Sequence, residues 1–284
     1  MAGPTVRRRR LGAELRAMRE SLRYTTEAVA QRFGWHNAKV SRMETGQTAA
    51  RVSDVEALLD LYEMQDPLKR KALLALARDG SRKGWWQRYN DVLTPAYADF
   101  ISLEADAETM QTYESGLVPG LFQTAGYARE VISAINMTET PGEVNRLVEV
   151  RQARQAVLTQ PDPLTVWAVM EETALRTEIT GKPHVMREQL HRLLDLSALS
   201  NITLQVIPSS AGPHPGLSGA FAVLRFPESH DHDVALVENL TNALYIEERA
   251  EVERYNMAFR CIVADALSRE ASLRLIHRLK KESP

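Results

Sequence analysis

The chain contains 284 residues, 44% hydrophobic and 25% charged, a composition typical of globular proteins and a length that predicts roughly two domains. The single cysteine excludes a disulfide framework and a multi-cysteine zinc site. The lack of a signal-peptide pattern or of any run of about 18 apolar residues predicts a cytoplasmic protein without a membrane span.

The net charge of −2 is unevenly distributed along the chain. Residues 1–83 hold 17 Lys and Arg against 10 Asp and Glu, whereas the remainder holds 18 against 27. A basic N-terminal part joined to an acidic body favours contact of the N-terminal part with a polyanion. A solvated run of charges is an equally good interpretation of this feature taken alone.

Five short helices are predicted for an N-terminal domain over residues 1–80. The apolar spacing indicates helices over 8–22, 26–33, 37–43, 53–62 and from 67 onward. Thr25 or Thr26 is expected to cap the second helix and Gly34 to end it. Ser53 and Glu56 have the spacing of a capping box at the start of the fourth helix.

The second and third helices, joined by a tight turn that contains Gly34, follow the plan of a helix-turn-helix. A short second helix of this kind fits the major groove of DNA. Its exposed side chains suit that role, because Asn can bind adenine, Arg can bind guanine, and Lys and Ser can bind phosphate. They are His36, Asn37, Ala38, Lys39, Ser41 and Arg42. The arginines at 7–10 are interpreted either as a flexible arm that contacts DNA or as a solvated first helical turn.

The segment GWHNAKVSRMETG, residues 34–46, resembles the recognition segment of the lambda-repressor/Cro-like family, also called the xenobiotic-response-element family. The resemblance covers residues 11–62. It implies base contacts from Asn37, Ala38 and Arg42, with His36 and Lys39 nearer to the DNA backbone.

The same resemblance implies a structural ion pair between Arg19 and Glu44. Members of the family often carry Gln at the start of the second helix, where it touches a phosphate. This chain has Thr25 and Thr26 there, so Thr26 is assigned to the DNA contacts although its side chain is shorter.

A second domain is predicted over residues 85–284, after a hinge at 79–84. Helices are expected from Pro95 to about 114, over 124–135, over 141–158 with a capping box at Thr140, over 183–199 and near the C-terminus. Strands are expected over 164–170, 202–207, 221–226, 234–238 and 243–246. The pattern predicts an all-α N-terminal domain followed by an α+β domain with a mixed, largely antiparallel sheet. Cys261 is expected to be buried in the last helical segment.

The second domain carries few candidates for catalysis. His230 and His232 could chelate a metal ion, and Glu171 could act as an acid or base, but an exposed loop and a lone strand end are the favoured interpretations. We therefore expect no enzymatic activity, no metal and no cofactor. A rival hypothesis is an enzyme or small-molecule receptor that uses these residues.

Several segments, among them 103–105, 117–124 and 214–219, resemble a domain of unknown function found behind such N-terminal domains in bacterial regulators and often described as antitoxin-like. The resemblance implies a protein partner, commonly a short protein encoded by a neighbouring gene. Polar residues that could contact a partner or effector, or instead form an internal ion-pair network, are Glu104, Gln123, Arg151, Arg154, Glu171 and His214.

Together these features predict a homodimeric transcriptional regulator that binds double-stranded DNA. An antitoxin-like module that neutralises a small partner and regulates its own operon is the alternative.

Overall fold

The computed structural model describes residues 5–80, 84–135, 137, 139–179, 181–227, 233–240 and 242–282. It contains two compact units. The first is formed by residues up to Arg88 together with Thr94–Phe100, and the second by Tyr89–Leu93 and most of the chain from Ile101 onward.

The first unit is built on five helices whose ends are set by local capping. Thr25 caps the second helix by accepting a hydrogen bond from the Ala28 amide, and Gly34 ends it in the left-handed conformation (φ 64°). Asp66 caps the fifth helix, which has Pro67 in its first turn. The helices are α1 (Val6–Ser21), α2 (Thr26–Phe33), α3 (Asn37–Glu44), α4 (Val52–Leu61) and α5 (Pro67–Asp79).

Two expectations for this unit are corrected. Of the two interpretations of the arginines at 7–10, the structure bears out the first helical turn and not the flexible arm, because these residues belong to α1. Arg7 is only 5% exposed, so this turn is not fully solvated. The helix α4 begins at Val52 with Arg51 as its N-cap, so Ser53 lies inside the helix and forms no capping box.

The helices α1 and α3 pack closely against each other in the core of the first unit. Leu15, Val29 and Val40 are at most 1% exposed. Gly12 faces the end of α3 so closely that a Cβ atom at this position would lie 2.4 Å from the Glu44 carbonyl oxygen. Because backbone cannot yield as a flexible side chain does, this glycine fixes the approach of α3 to α1.

The second unit contains a six-stranded mixed sheet in the order β3-β2-β1-β4-β5-β6. β1 and β3 pair in parallel with β2, whereas the pairings β1–β4, β4–β5 and β5–β6 are antiparallel. The predicted fold class is therefore confirmed. The strands are β1 (Thr109–Glu114), β2 (Thr165–Glu171), β3 (Ile202–Ile207), β4 (Phe221–Arg225), β5 (Val234–Glu238) and β6 (Ala243–Ile246).

Helices cover both faces of this sheet. Val169 and Met170 are consecutive in β2 and point to opposite faces, yet both are fully buried. One face packs on the last-but-one helix through Phe259 and Ile262. The helices of this unit are α7 (Ala125–Ile135), α8 (Pro141–Arg154), α9 (Glu172–Arg176), α10 (Pro183–Ser197), α11 (Arg249–Asp265) and α12 (Arg269–Glu282), and α6 (Pro95–Asp106) precedes β1. Thr140 and Glu143 form the predicted capping box of α8.

Two further predictions are corrected here. The helix that begins at Pro95 ends at Asp106 rather than near residue 114, because Thr109–Glu114 forms a central strand paired with β2 and β4. Cys261 is exposed, since it lies on the face of α11 opposite Phe259.

Candidate nucleic-acid interface

The turn between α2 and α3 positions the candidate recognition helix. Gly34 allows the chain to reverse after α2, and the Trp35 ring stacks on Phe33 with 4.6 Å between the ring centroids. Val40 and Met43 are buried and anchor α3 to the core. The remaining face of α3 therefore points outward from a rigid support.

That outward face carries the side chains expected to read bases. Asn37, Ala38, Ser41 and Arg42 are exposed, as is His36 at the N-cap. Spacings of one, three and four residues place the four helical positions on one side of α3. Within the described part of the chain, the side chains of Asn37 and Arg42 form no hydrogen bond or ion pair, so they are available to a ligand.

Lys39 and Thr26 differ from the other predicted DNA contacts. Lys39 is held in an ion pair, with its Nζ 2.8 Å from Asp54 Oδ2 on α4 and 3.8 Å from the centroid of the Trp35 ring. Thr26 is half-buried in the first turn of α2, while Thr25 makes the capping hydrogen bond. Neither side chain is as accessible as those of Asn37 and Arg42.

Arg19 and Glu44 form a bidentate ion pair between α1 and the C-terminal end of α3. Arg19 donates from Nε to Glu44 Oε1 at 2.6 Å and from Nη2 to Oε2 at 2.9 Å, and it also donates to the Tyr24 carbonyl at 2.7 Å. The two side chains are 10% and 6% exposed. The hydrogen bond to Glu44 raises the pKa of the Arg19 guanidinium above its usual value.

Four of the polar residues singled out in the second unit form two internal pairs, Arg154 with Glu104 and Arg151 with Gln123. Arg154 donates to both oxygens of Glu104 at 2.9 and 2.5 Å, and these side chains are 4% and 1% exposed. Gln123 is 2% exposed; it donates to the Val118 carbonyl and accepts from Arg151 Nη1 at 2.8 Å. These contacts favour the interpretation of Glu104, Gln123, Arg151 and Arg154 as structural residues.

The other two, Glu171 and His214, lie together at the carboxyl end of β2. Tyr113 donates to Glu171 Oε1 at 2.7 Å, and His214 Nε2 lies 3.1 Å from the same oxygen. The pKa of the Tyr113 hydroxyl is raised, mainly by burial and also by the hydrogen bond to Glu171. A Cβ atom at Gly216 would lie 2.4 Å from the Tyr113 ring, so the loop that carries His214 packs directly on β1.

On the opposite face of β1, burial and the neighbouring Glu238 raise the pKa of Glu114 to about 8.

His230 and His232, the metal-binding candidates, lie outside the described residues, as do residues 81–83 of the predicted hinge. The described residues contain no cluster of three or more His, Cys, Asp or Glu able to hold a metal ion. Among those same residues, no helix has the length and apolar character that a membrane crossing requires.

Three residues at these sites have no role in the sequence prediction: Trp35, Asp54 and Tyr113. Trp35 precedes the N-cap of α3, so the spacing of a helix face does not predict its cation–π contact with Lys39. Asp54 and Tyr113 act on residues that are distant in the sequence, so the sequence alone offers no signal for them either.

Comparison with known families agrees with this geometry. A model of a helix-turn-helix domain matches residues 10–73, which contain α2, the turn and α3, and this domain indicates a DNA-binding regulator. A model of a domain of unknown function (DUF5753) matches residues 97–278. Since that match covers more than half of the chain, the protein belongs to the family that this domain defines. No curated protein and no solved structure matched the chain.

Proposed function

We propose that this protein is a sequence-specific transcriptional regulator that reads operator DNA with α3, in the manner of lambda-repressor/Cro-like proteins. The observation that carries the proposal is the outward face of α3, where Asn37 and Arg42 are exposed and form no internal hydrogen bond. Asn37, Ala38 and Arg42 would contact base edges in the major groove, with Ser41, His36, Lys39 and Thr26 nearer to phosphates.

Two features of the first unit support this role. Val40, Met43 and the Arg19–Glu44 pair fix α3 on its inner side, so the exposed side chains project from a rigid helix. The basic charge of residues 1–83 also favours association with a polyanion.

Arg42→Ala tests the assignment of base reading. Arginine that binds guanine through two hydrogen bonds contributes about 1–3 kcal/mol of discrimination, so the variant should lose that much affinity for a selected operator and relax the preference at one base pair. Fluorescence anisotropy on the operator and on a scrambled duplex measures both effects.

The matched control is Arg32→Ala, which removes an exposed arginine from α2 rather than from α3. It should leave the base preference unchanged. An equal loss of affinity by Arg42→Ala on both duplexes would contradict base reading by Arg42.

We further propose that the protein acts as a homodimer in the cytoplasm and that the second unit binds a short protein partner. One such DNA-binding unit covers about half of a palindromic operator, which supports the dimer. The resemblance of the second unit to antitoxin-like domains supports the partner, and an antitoxin-like role with autoregulation is the alternative. Isolation of the protein from its native host, followed by mass spectrometry of bound chains, tests the partner.

A further inference from the structure

Lys39 on α3 forms an ion pair with Asp54. The same ammonium group could otherwise bind a DNA phosphate. The Lys39 side chain is 34% exposed and that of Asp54 is 15% exposed. The ammonium group also lies over the indole of Trp35, whose ring is itself fixed by stacking on Phe33. The lysine is thus held from two sides by residues of the same unit.

Lys39 lies at the margin of the outward face of α3, so its contact with Asp54 lies there too. Lys39 lies between Ala38 and Val40, so its side chain leaves the helix between the exposed face and the buried one. Asp54 occupies the first turn of α4, where the partial positive charge of the helix N-terminus stabilises a carboxylate. The carboxylate is therefore a stable competitor for the ammonium group.

A mobile lysine beside a DNA-reading helix would bind the phosphates of every duplex alike, because phosphate contacts carry no sequence information. Such contacts supply most of the affinity for non-specific DNA. A carboxylate that holds the lysine removes one such contact and leaves Asn37 and Arg42 unaffected.

We infer that Asp54 is an affinity-limiting residue, which competes with DNA phosphate for Lys39 and thereby lowers the affinity of the protein for DNA of any sequence. The inference rests on the proposed DNA-binding function and deepens it. Asp54 contacts no base and acts through Lys39.

The test compares the full-length protein with Asp54→Asn in anisotropy titrations on a random-sequence duplex across a series of salt concentrations. Release of Lys39 adds about one phosphate contact, so the slope of log affinity against log salt should steepen by about 0.9. Affinity for the random duplex should rise about 3- to 10-fold at low salt, on the order of one phosphate contact. Circular dichroism establishes that the variant is folded, and Asp54→Ala should change affinity in the same direction.

Two controls separate this effect from the loss of a negative charge in general. Glu56→Gln removes one charge from the exposed side of the same helix and should leave the salt slope unchanged. In a Lys39→Met background, Asp54→Asn should no longer steepen the slope. Provided that the parent protein binds DNA, either of two results would overturn the inference. One is a rise in affinity from Asp54→Asn that persists in the Lys39→Met background, and the other is an unchanged salt slope in Asp54→Asn. A parent protein that binds no DNA would overturn the proposed function as well.

Discussion

Arg154→Met is expected to lower the free energy of unfolding of the second unit by about 3–5 kcal/mol, the cost of leaving one member of a buried ion pair without its partner. The side chains of Arg154 and Glu104 are almost fully buried. The Arg154 guanidinium donates one hydrogen bond to each carboxylate oxygen of Glu104. Without them, the Glu104 carboxylate is left buried and without the partner that stabilises it. Urea denaturation of the full chain, followed by circular dichroism, measures the loss.

The matched control lies on the same helix. Arg146 pairs with Asp91 at an exposed site, so Arg146→Met should change stability little. The double variant Glu104→Leu/Arg154→Met should recover most of the stability, because apolar residues can replace a buried ion pair at little cost. A loss below about 1 kcal/mol for Arg154→Met alone would contradict the structural role of the pair.

Arg19→Met is expected to cost about 3 kcal/mol in the first unit, for the same physical reason. The variant leaves the buried Glu44 carboxylate and the Tyr24 carbonyl without the donors that Arg19 supplies. Because Glu44 is the last residue of α3, the loss should also reduce DNA affinity at temperatures where the variant is still folded. Thermal unfolding and anisotropy titration on the same preparation measure the two effects.

Arg16→Met provides the comparison on the same helix. Arg16 pairs with Glu20, and both side chains are more than half exposed. This variant should retain both the stability and the DNA affinity of the parent. If Arg19→Met behaved in the same way as Arg16→Met, the pair would not be what holds α3 in place.

The first unit could be predicted well because its signals are local. Thr25, Gly34, Asp66 and Pro67 set helix ends through contacts within a few residues, and the apolar spacing identifies the buried faces. Arg51 shows the limit of such signals. It takes the N-cap of α4 although Ser53 has the more favourable chemistry, and the side chain of Asp54 pairs with Lys39.

The second unit was harder to predict because its central strand depends on distant partners. Thr109–Glu114 follows a helix directly and pairs with Thr165–Glu171, more than fifty residues further along the chain. No pattern within six residues reveals such pairing, so the sequence alone predicts a helix that continues to about residue 114. In the same way, the sequence indicates that Lys39 is polar and close to the outward face of α3. Its ion pair with Asp54 is visible only in the structure.

Selection from a random duplex library by the full-length protein shows whether α3 reads a DNA sequence. We expect a two-fold symmetric site whose half-sites lie about one helical turn apart, bound about 10³-fold or more tightly than scrambled DNA at near-physiological salt. Arg42→Ala should weaken the preference at one position of each half-site. Failure to enrich any sequence, with equal binding of all duplexes by the parent protein and by Arg42→Ala, would contradict sequence reading by α3.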